Sequence, residues 1–257
     1  MRKILFRADD LGYSEGVNYG IEKSVKEGLI GSVGVMLNMA ATEHGVSLLK
    51  NEKIAFGQHT NICVGQPLTD PLLIPSLVDE AGFFKSSKTY RTAEKDFVVV
   101  EEALLEIQNQ YNRFIELFGR KPDYFEGHAI ASDNFFTALK QFSIQEGLTY
   151  SGLPENTNPN AIETGSFTYI NQTKSYLIME SMKPDYDPYQ TLRNLSTHLH
   201  EDGVNIFVCH PGYLDAYILN HSSLLIPRTQ EVEMLIDPKI KQELIEQEIE
   251  LIDYRYF

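Results

Sequence analysis

Four short apolar runs in this chain each end in a carboxylate pair or a histidine, and this recurrence restricts the fold more than any other feature. Residues 2–8 lead into Asp9-Asp10, residues 54–58 into His59, residues 122–127 into His128, and residues 205–209 into His210. Runs of this length and composition read as strands. Between them the apolar residues change period. Residues 16–29 predict a helix stopped near Gly28 and Gly31. Phe97, Val100, Leu104, Ile107, Tyr111, Phe114 and Phe118 alternate steps of three and four, which places them on one helical face that ends at Gly119. A helix packing on its own sheet explains that stripe better than an oligomer seam. Residues 133–146 and 188–202 predict further helices, and the acidic run 238–251 predicts one with a solvated face. Alternating strands and helices argue for an α/β fold. In parallel α/β folds the strand C-terminal ends share one face, so Asp9, Asp10, His59, His128 and His210 are expected to converge there.

The length of 257 residues suits a single domain, and no repeat, low-complexity tract or linker divides residues 1–257. With 22 Lys plus Arg against 36 Asp plus Glu, the formal charge of -14 repels phosphate backbones and argues against a nucleic-acid partner. The apolar run at residues 4–6 is too short for a signal peptide or a membrane span. No membrane partner is therefore expected, and the expected location is cytoplasmic. Cys63 and Cys209 read as buried free thiols of a reducing compartment. Residues 63–93, broken by Pro67, Pro71, Pro75, Gly65 and Gly82, form a long connection after His59. Such a segment is either a lid beside a cleft or a packed surface excursion. His44, His198, His200 and His221 lack a strand-end setting and are expected on the surface or on helices.

Two histidines and one aspartate make a set that holds a divalent ion with open positions for water and substrate. One carboxylate of the Asp9-Asp10 pair could bind the cation while the other takes a proton from water. His210, on the turn Cys209-His210-Pro211-Gly212-Tyr213, is suited to protonate a leaving amine. The chain has no phosphate-binding glycine loop and no Gly-x-Ser-x-Gly elbow. The absent elbow weakens a serine hydrolase reading, and the converging set points to a metal-dependent hydrolase, the alternative being histidines held as ordinary polar residues near turns and the surface.

Longer blocks sharpen it. Arg7-Ala8-Asp9-Asp10-Leu11-Gly12-Tyr13-Ser14-Glu15-Gly16-Val17-Asn18-Tyr19-Gly20-Ile21, Met36-Leu37-Asn38-Met39-Ala40-Ala41-Thr42-Glu43, Gly57-Gln58-His59, His210-Pro211-Gly212-Tyr213 and Pro227-Arg228-Thr229-Gln230-Glu231 together resemble the YdjC/ChbG family of carbohydrate deacetylases. The resemblance covers nearly the whole chain and is weakest over residues 150–190. It implies a distorted β/α (TIM-like) barrel that removes the N-acetyl group from an amino sugar or short oligosaccharide of chitooligosaccharide type, releasing acetate. By the same resemblance Asp10, His59 and His128 would hold the ion, with magnesium as first choice and zinc or manganese as alternatives. Asp9 would be the base and His210 the acid, and a homodimer is the expected assembly. One stretch departs from the family pattern, in which an Asp-Gly or Asp-Ser precedes several histidines in His-x-His-x-His spacing. Here it reads Glu126-Gly127-His128-Ala129-Ile130-Ala131-Ser132, which bears on substrate identity more than on metal binding. A different small amide as substrate, or saccharide binding without turnover, are the alternatives.

Overall fold

A strand in the middle of a parallel sheet is covered on both faces and must be apolar nearly throughout. The computed structural model, which describes residues 2–154, 166–196 and 198–257, places such a strand at its centre. β1 (Lys3–Leu11) is buried at every position after Lys3 and is followed by α1 (Glu15–Lys26), β2 (Ser32–Val35), α2 (Thr42–Leu49) and β3 (Ala55–Thr60). Then come α3 (Ser87–Thr92), α4 (Val100–Phe118), β4 (Tyr124–Gly127), α5 (Asp133–Glu146), β5 (Phe167–Ile170), β6 (Thr173–Ile178) and α6 (Pro188–Ser196). The chain closes with β7 (Val204–Cys209), α7 (Ala216–His221), α8 (Ile226–Ile236), α9 (Pro238–Glu246) and β8 (Glu250–Ile252). Along the sheet the order is β4-β3-β2-β1-β7-β6-β5, with β8 added on β1. Every pairing is parallel except β5 with β6. β8 pairs with Lys3–Leu5 and β2 with the stretch from Arg7 to Leu11, so the two share one edge of β1 end to end. The sheet curls into the distorted, partly open β/α barrel expected from the sequence.

Side-chain direction alternates along a strand, and this puts the polar residues inside. Leu5, Ala55, Tyr124, Val204, Ile206 and Val208 form one apolar cluster within the curl, closed by Tyr254. Continuing each strand by steps of two from those residues leads to Arg7 and Asp9, to His59, to Glu126 and His128, and to His210. The intervening residues Ile4, Phe6, Ala8 and Phe207 point outward to the helices.

Local signals explain most helix ends. Ser14 caps α1 by accepting from the Val17 amide, Ser132 caps α5 through the Phe135 amide, and Gly119 ends α4 in the left-handed region at φ 70°. Four expectations need correction. α1 stops at Lys26, ahead of Gly28. Phe97 lies before α4 rather than on it and packs on the Tyr90 ring. α6 ends at Ser196; residue 197, inside the expected helix 188–202, lies outside the described residues. The acidic tail is not one helix: Glu248 at φ 54° turns the chain, and Glu250–Ile252 becomes β8 on the edge of β1.

Residues 63–93 are the packed alternative. Ile74, Leu77, Val78, Phe84 and Tyr90 are buried with Ala103, Ile107 and Tyr111 in a second core, and the Leu68 and Thr69 amides donate to Glu106 of α4. The α4 stripe thus packs within its own fold. Among the described residues no helix is long and apolar enough to cross a membrane.

Candidate active site

The four strand ends meet inside the barrel mouth. β1 does not simply stop at the acidic pair. Its pairing with β2 slips between Ala8 and Leu11, and Asp10 there adopts φ 77°, which is costly for a residue other than glycine. The irregularity lets two consecutive carboxylates both turn inward, where strict alternation would put one on each face. Asp9 and Asp10 are both buried. β2 contributes no ligand here, and a Cβ on its Gly34 would stand 3.0 Å from Asp9 Oδ1 and 3.2 Å from His59 Cβ. The bare backbone leaves room for that crowd.

Each carboxylate has an arginine on one oxygen. Arg7 Nη2 donates to Asp9 Oδ2 at 2.7 Å, and Arg228 Nη2, from α8, donates to Asp10 Oδ2 at 2.7 Å. The other oxygens, Asp9 Oδ1 and Asp10 Oδ1, are buried without a hydrogen-bond partner. Asp10 Oδ1 stands 3.2 Å from His59 Nε2 and 3.2 Å from His128 Nδ1, and those two nitrogens are 2.8 Å apart. One oxygen and two nitrogens therefore crowd one point. Atoms held at about 2.1 Å around one small ion stand about 3 Å from each other, which is the spacing here. The donor set fits a divalent cation.

A second grouping, Asp9, His59 and Glu126, also brings three ligand types together. It suits a cation less well, because Arg7 lies between its carboxylates, 2.7 Å from Asp9 and 3.8 Å from Glu126. Glu126 instead engages His59 through Nδ1. A carboxylate on the far nitrogen of a histidine is the usual support of a metal ligand, and it leaves Nε2 facing the shared point.

The charges respond to these contacts. Burial works against ionisation of Asp10, yet Arg228 and the two imidazoles outweigh it and hold the carboxyl well below its usual range. Burial likewise opposes charge on His59, but Glu126, Asp9 and Asp10 raise its pKa well above an ordinary imidazole. On His128 the neighbouring Cys63 and Asp10 overcome burial and push it up to about 9. His210 behaves oppositely: burial pushes it down to about 4 although Asp10 and Asp9 favour its charge. Its backbone N–H donates to Glu231 Oε2 at 2.5 Å, and its Nδ1 lies 3.0 Å from the Ser181 hydroxyl. Burial pushes Glu231 up to about 7.

All five residues expected to converge do so. Arg7, Glu126, Ser181, Arg228 and Glu231 complete the arrangement, and no role was read for them in the sequence. For Arg7 and Glu126 a signal was present: each is a charge in an apolar strand, two residues before Asp9 or His128 and hence on the same face. His44 and His200 are half-buried on other partners, and His198 and His221 are exposed, all apart from this centre.

Ile130 and Ser132, where the family pattern has further histidines, serve packing and capping. Ile130 belongs to the second core, and the Ser132 hydroxyl caps α5 and donates to Asp96. The departure leaves the Asp10-His59-His128 set intact.

Fold and centre together define a β/α barrel with a buried carboxylate–imidazole cluster at its strand ends. The profile of the YdjC-like protein family matches residues 3–246, and the chain belongs to that family. It is 32% identical over 262 residues to carbohydrate deacetylase 2 of Listeria innocua, covering 98% of this chain and 97% of that one. It is 29% identical to a carbohydrate deacetylase of Clostridium beijerinckii, covering 98% of this chain and 99% of the relative. Among solved structures, the candidate cellobiose-phosphate cleavage protein of Enterococcus faecalis superposes with a TM-score of 0.83 at 23% identity, over 99% of this chain and 98% of that one. A peptidoglycan N-acetylglucosamine deacetylase shares the fold more distantly, with a TM-score of 0.52 at 12% identity over 98% of this chain and 85% of that one.

Proposed function

We propose that the chain is a metal-dependent carbohydrate deacetylase that hydrolyses the N-acetyl amide of an amino sugar or short oligosaccharide and releases acetate. The observation that carries this reading is the pair of carboxylate oxygens without hydrogen-bond partners in one buried site, one of them 3.2 Å from a nitrogen of each of two imidazoles. Asp10, His59 and His128 would hold the ion, with magnesium as first choice over zinc or manganese. A bound divalent ion supplies Lewis acidity, polarising an amide carbonyl and making water more acidic.

The chain's own groups supply the rest. Asp9 keeps Oδ2 on Arg7 and has Oδ1 free to take a proton from the attacking water. His210, with its pKa pushed down to about 4, is neutral at pH 7 in the free protein. A proton that it takes up as negative charge builds on the amide is held weakly and passes readily to the departing nitrogen. Asp9 passes the proton lost by water on to solvent and His210 draws from solvent the one it delivers to the amine, so both groups end the cycle as they began it. The two relatives named carbohydrate deacetylases support the substrate class. Buried free Cys63 and Cys209 fit work in the reducing cytoplasm.

The test is acetate release from a panel of N-acetylated sugars, chitooligosaccharides included, by metal-stripped protein with single divalent ions added back. Release that needs the ion and disappears in Asp9→Asn, while that variant still binds metal, is the expected result. A folded protein that releases no acetate from any sugar would refute it, and would move the assignment to another amide or to saccharide binding without turnover.

A further inference from the structure

β6 and β7 run parallel with Ile178 opposite Phe207. Three residues beyond each partner stand Ser181 and His210, so sheet register brings them level at the barrel mouth. Ser181 is 2% exposed, and its hydroxyl lies 3.0 Å from His210 Nδ1. Among the described residues Nε2 of that ring makes no hydrogen bond. The same segment after β6 is tied to the His210 turn a second time: the Tyr186 hydroxyl donates to Glu231 Oε1 at 2.8 Å, and Glu231 Oε2 accepts the His210 amide.

We propose that Ser181 is the positioning residue of His210, holding Nδ1 so that Nε2 is the nitrogen presented to the substrate. The inference rests on the deacetylase reading for what His210 does, but the contact itself is independent of it. A hydroxyl suits this position because it both donates and accepts. It accepts from Nδ1–H both in the charged ring and in the neutral ring whose Nε2 is bare, and it can donate to Nδ1 when the proton sits on Nε2 instead. The ring therefore keeps its orientation through a proton cycle. A carboxylate in the same place would favour the charged ring and make it a weaker acid. The charged and titratable groups around the ring are Asp9 and Asp10 of β1, His59 of β3, and Arg228 and Glu231 of α8. None of them bonds to Nδ1, so among the described residues Ser181 is what sets which nitrogen faces inward.

The test uses Ser181→Ala, Ser181→Thr and Ser181→Asp in the whole protein. Nitrogen-detected NMR of the His210 ring in metal-free protein reads the tautomer, and steady-state acetate release reads kcat and KM. Ser181→Ala is expected to lose the single Nδ1-bonded state and to lower kcat by about tenfold to a hundredfold at unchanged KM, the usual effect of removing an orienting partner. Ser181→Thr is expected to restore both, and Ser181→Asp to raise the His210 titration midpoint. A ring signature unchanged in Ser181→Ala overturns the inference whether or not the protein deacetylates sugars. A loss of kcat with that signature unchanged overturns it too, since the role would then be packing.

Discussion

Gly20 on α1 gives a sharp test of how the His210 turn is held. A Cβ built there would stand 2.4 Å from Gly212 Cα and 2.8 Å from Gly212 N, both backbone atoms that cannot rotate aside. Gly20→Ala brings two opposing effects. Alanine is the better helix former by about 1 kcal/mol. Carbon atoms in contact prefer about 3.5–4.0 Å, so helix and turn must part by roughly 1 Å, and overpacking of that kind costs about 1–3 kcal/mol. The clash wins because neither backbone has another place to go: the Tyr213 amide is already bonded to Gly16 O at 3.0 Å. With the clash at the upper end of its range, about 2–3 kcal/mol, the net loss of about 1–2 kcal/mol lowers Tm by about 2–8 °C for a chain of this size. Activity should fall further, by about a hundredfold, because His210 lies two residues from the displaced glycine and a 1 Å error in a catalytic group is that costly. Gly119→Ala is the control. Gly119, unlike the helical Gly20, has a positive φ, 70°, but nothing lies within 4 Å of its missing Cβ. It should lose about 1–2 kcal/mol from left-handed strain and no activity. Thermal denaturation and acetate release, both assayed well below the melting transitions, separate the cases. A Gly20→Ala protein as stable as the parent, or no less active than Gly119→Ala, would refute the reasoning.

Three further outcomes follow from the charges of the centre. Acidic neighbours raise the pKa of His59 and push that of His128 up to about 9, and the facing nitrogens of the two rings, 2.8 Å apart, hold a proton between them that a cation must displace. Metal affinity should rise with pH up to about 9, and calorimetry should show a binding enthalpy that changes with buffer; a buffer-independent enthalpy would count against these two ligands. Arg228→Met strips the partner from Asp10, both residues being almost fully buried, and should cost about 3–5 kcal/mol in denaturant melts of metal-free protein. Added metal should recover part of that loss, and equal losses with and without metal would argue against Asp10 as a ligand. Glu126→Gln keeps the shape beside His59 but removes the charge, and should weaken metal binding by about tenfold to a hundredfold in a direct titration.

The sequence showed what is periodic or local. β1, β3, β4 and β7 were visible because each is an apolar run closed by a polar residue, and α5 because its cap and its glycine stop both stand in the chain. β2 is four residues long with Gly34 inside it, too short to show a period. β8 was hidden in an acidic tail, since only its pairing with β1 from the far end of the chain makes it a strand. The partners of the centre follow the same division. Arg228 reaches Asp10 across 218 positions, and Ser181 reaches His210 only through the register of β6 on β7. No local pattern marks such contacts, because burial and tertiary pairing create them.

The division of labour between Asp9 and Asp10 could not be argued from their adjacency, and the bulge supplies the missing argument. Both carboxylates are buried, both give Oδ2 to an arginine and both leave Oδ1 unpartnered, so chemistry alone does not separate them. Position does. The slip after Ala8 and the positive φ of Asp10 carry its Oδ1 onto the two imidazole nitrogens, while Asp9 stays in phase with Arg7. A cation at the shared point would satisfy the Asp10 oxygen and leave the Asp9 oxygen as the unclaimed acceptor beside it. Asp10→Asn should therefore lose metal binding and turnover together, whereas Asp9→Asn should lose turnover with the metal retained. Metal titration of the two variants decides the order, and loss of metal from Asp9→Asn with retention in Asp10→Asn would reverse the assignment.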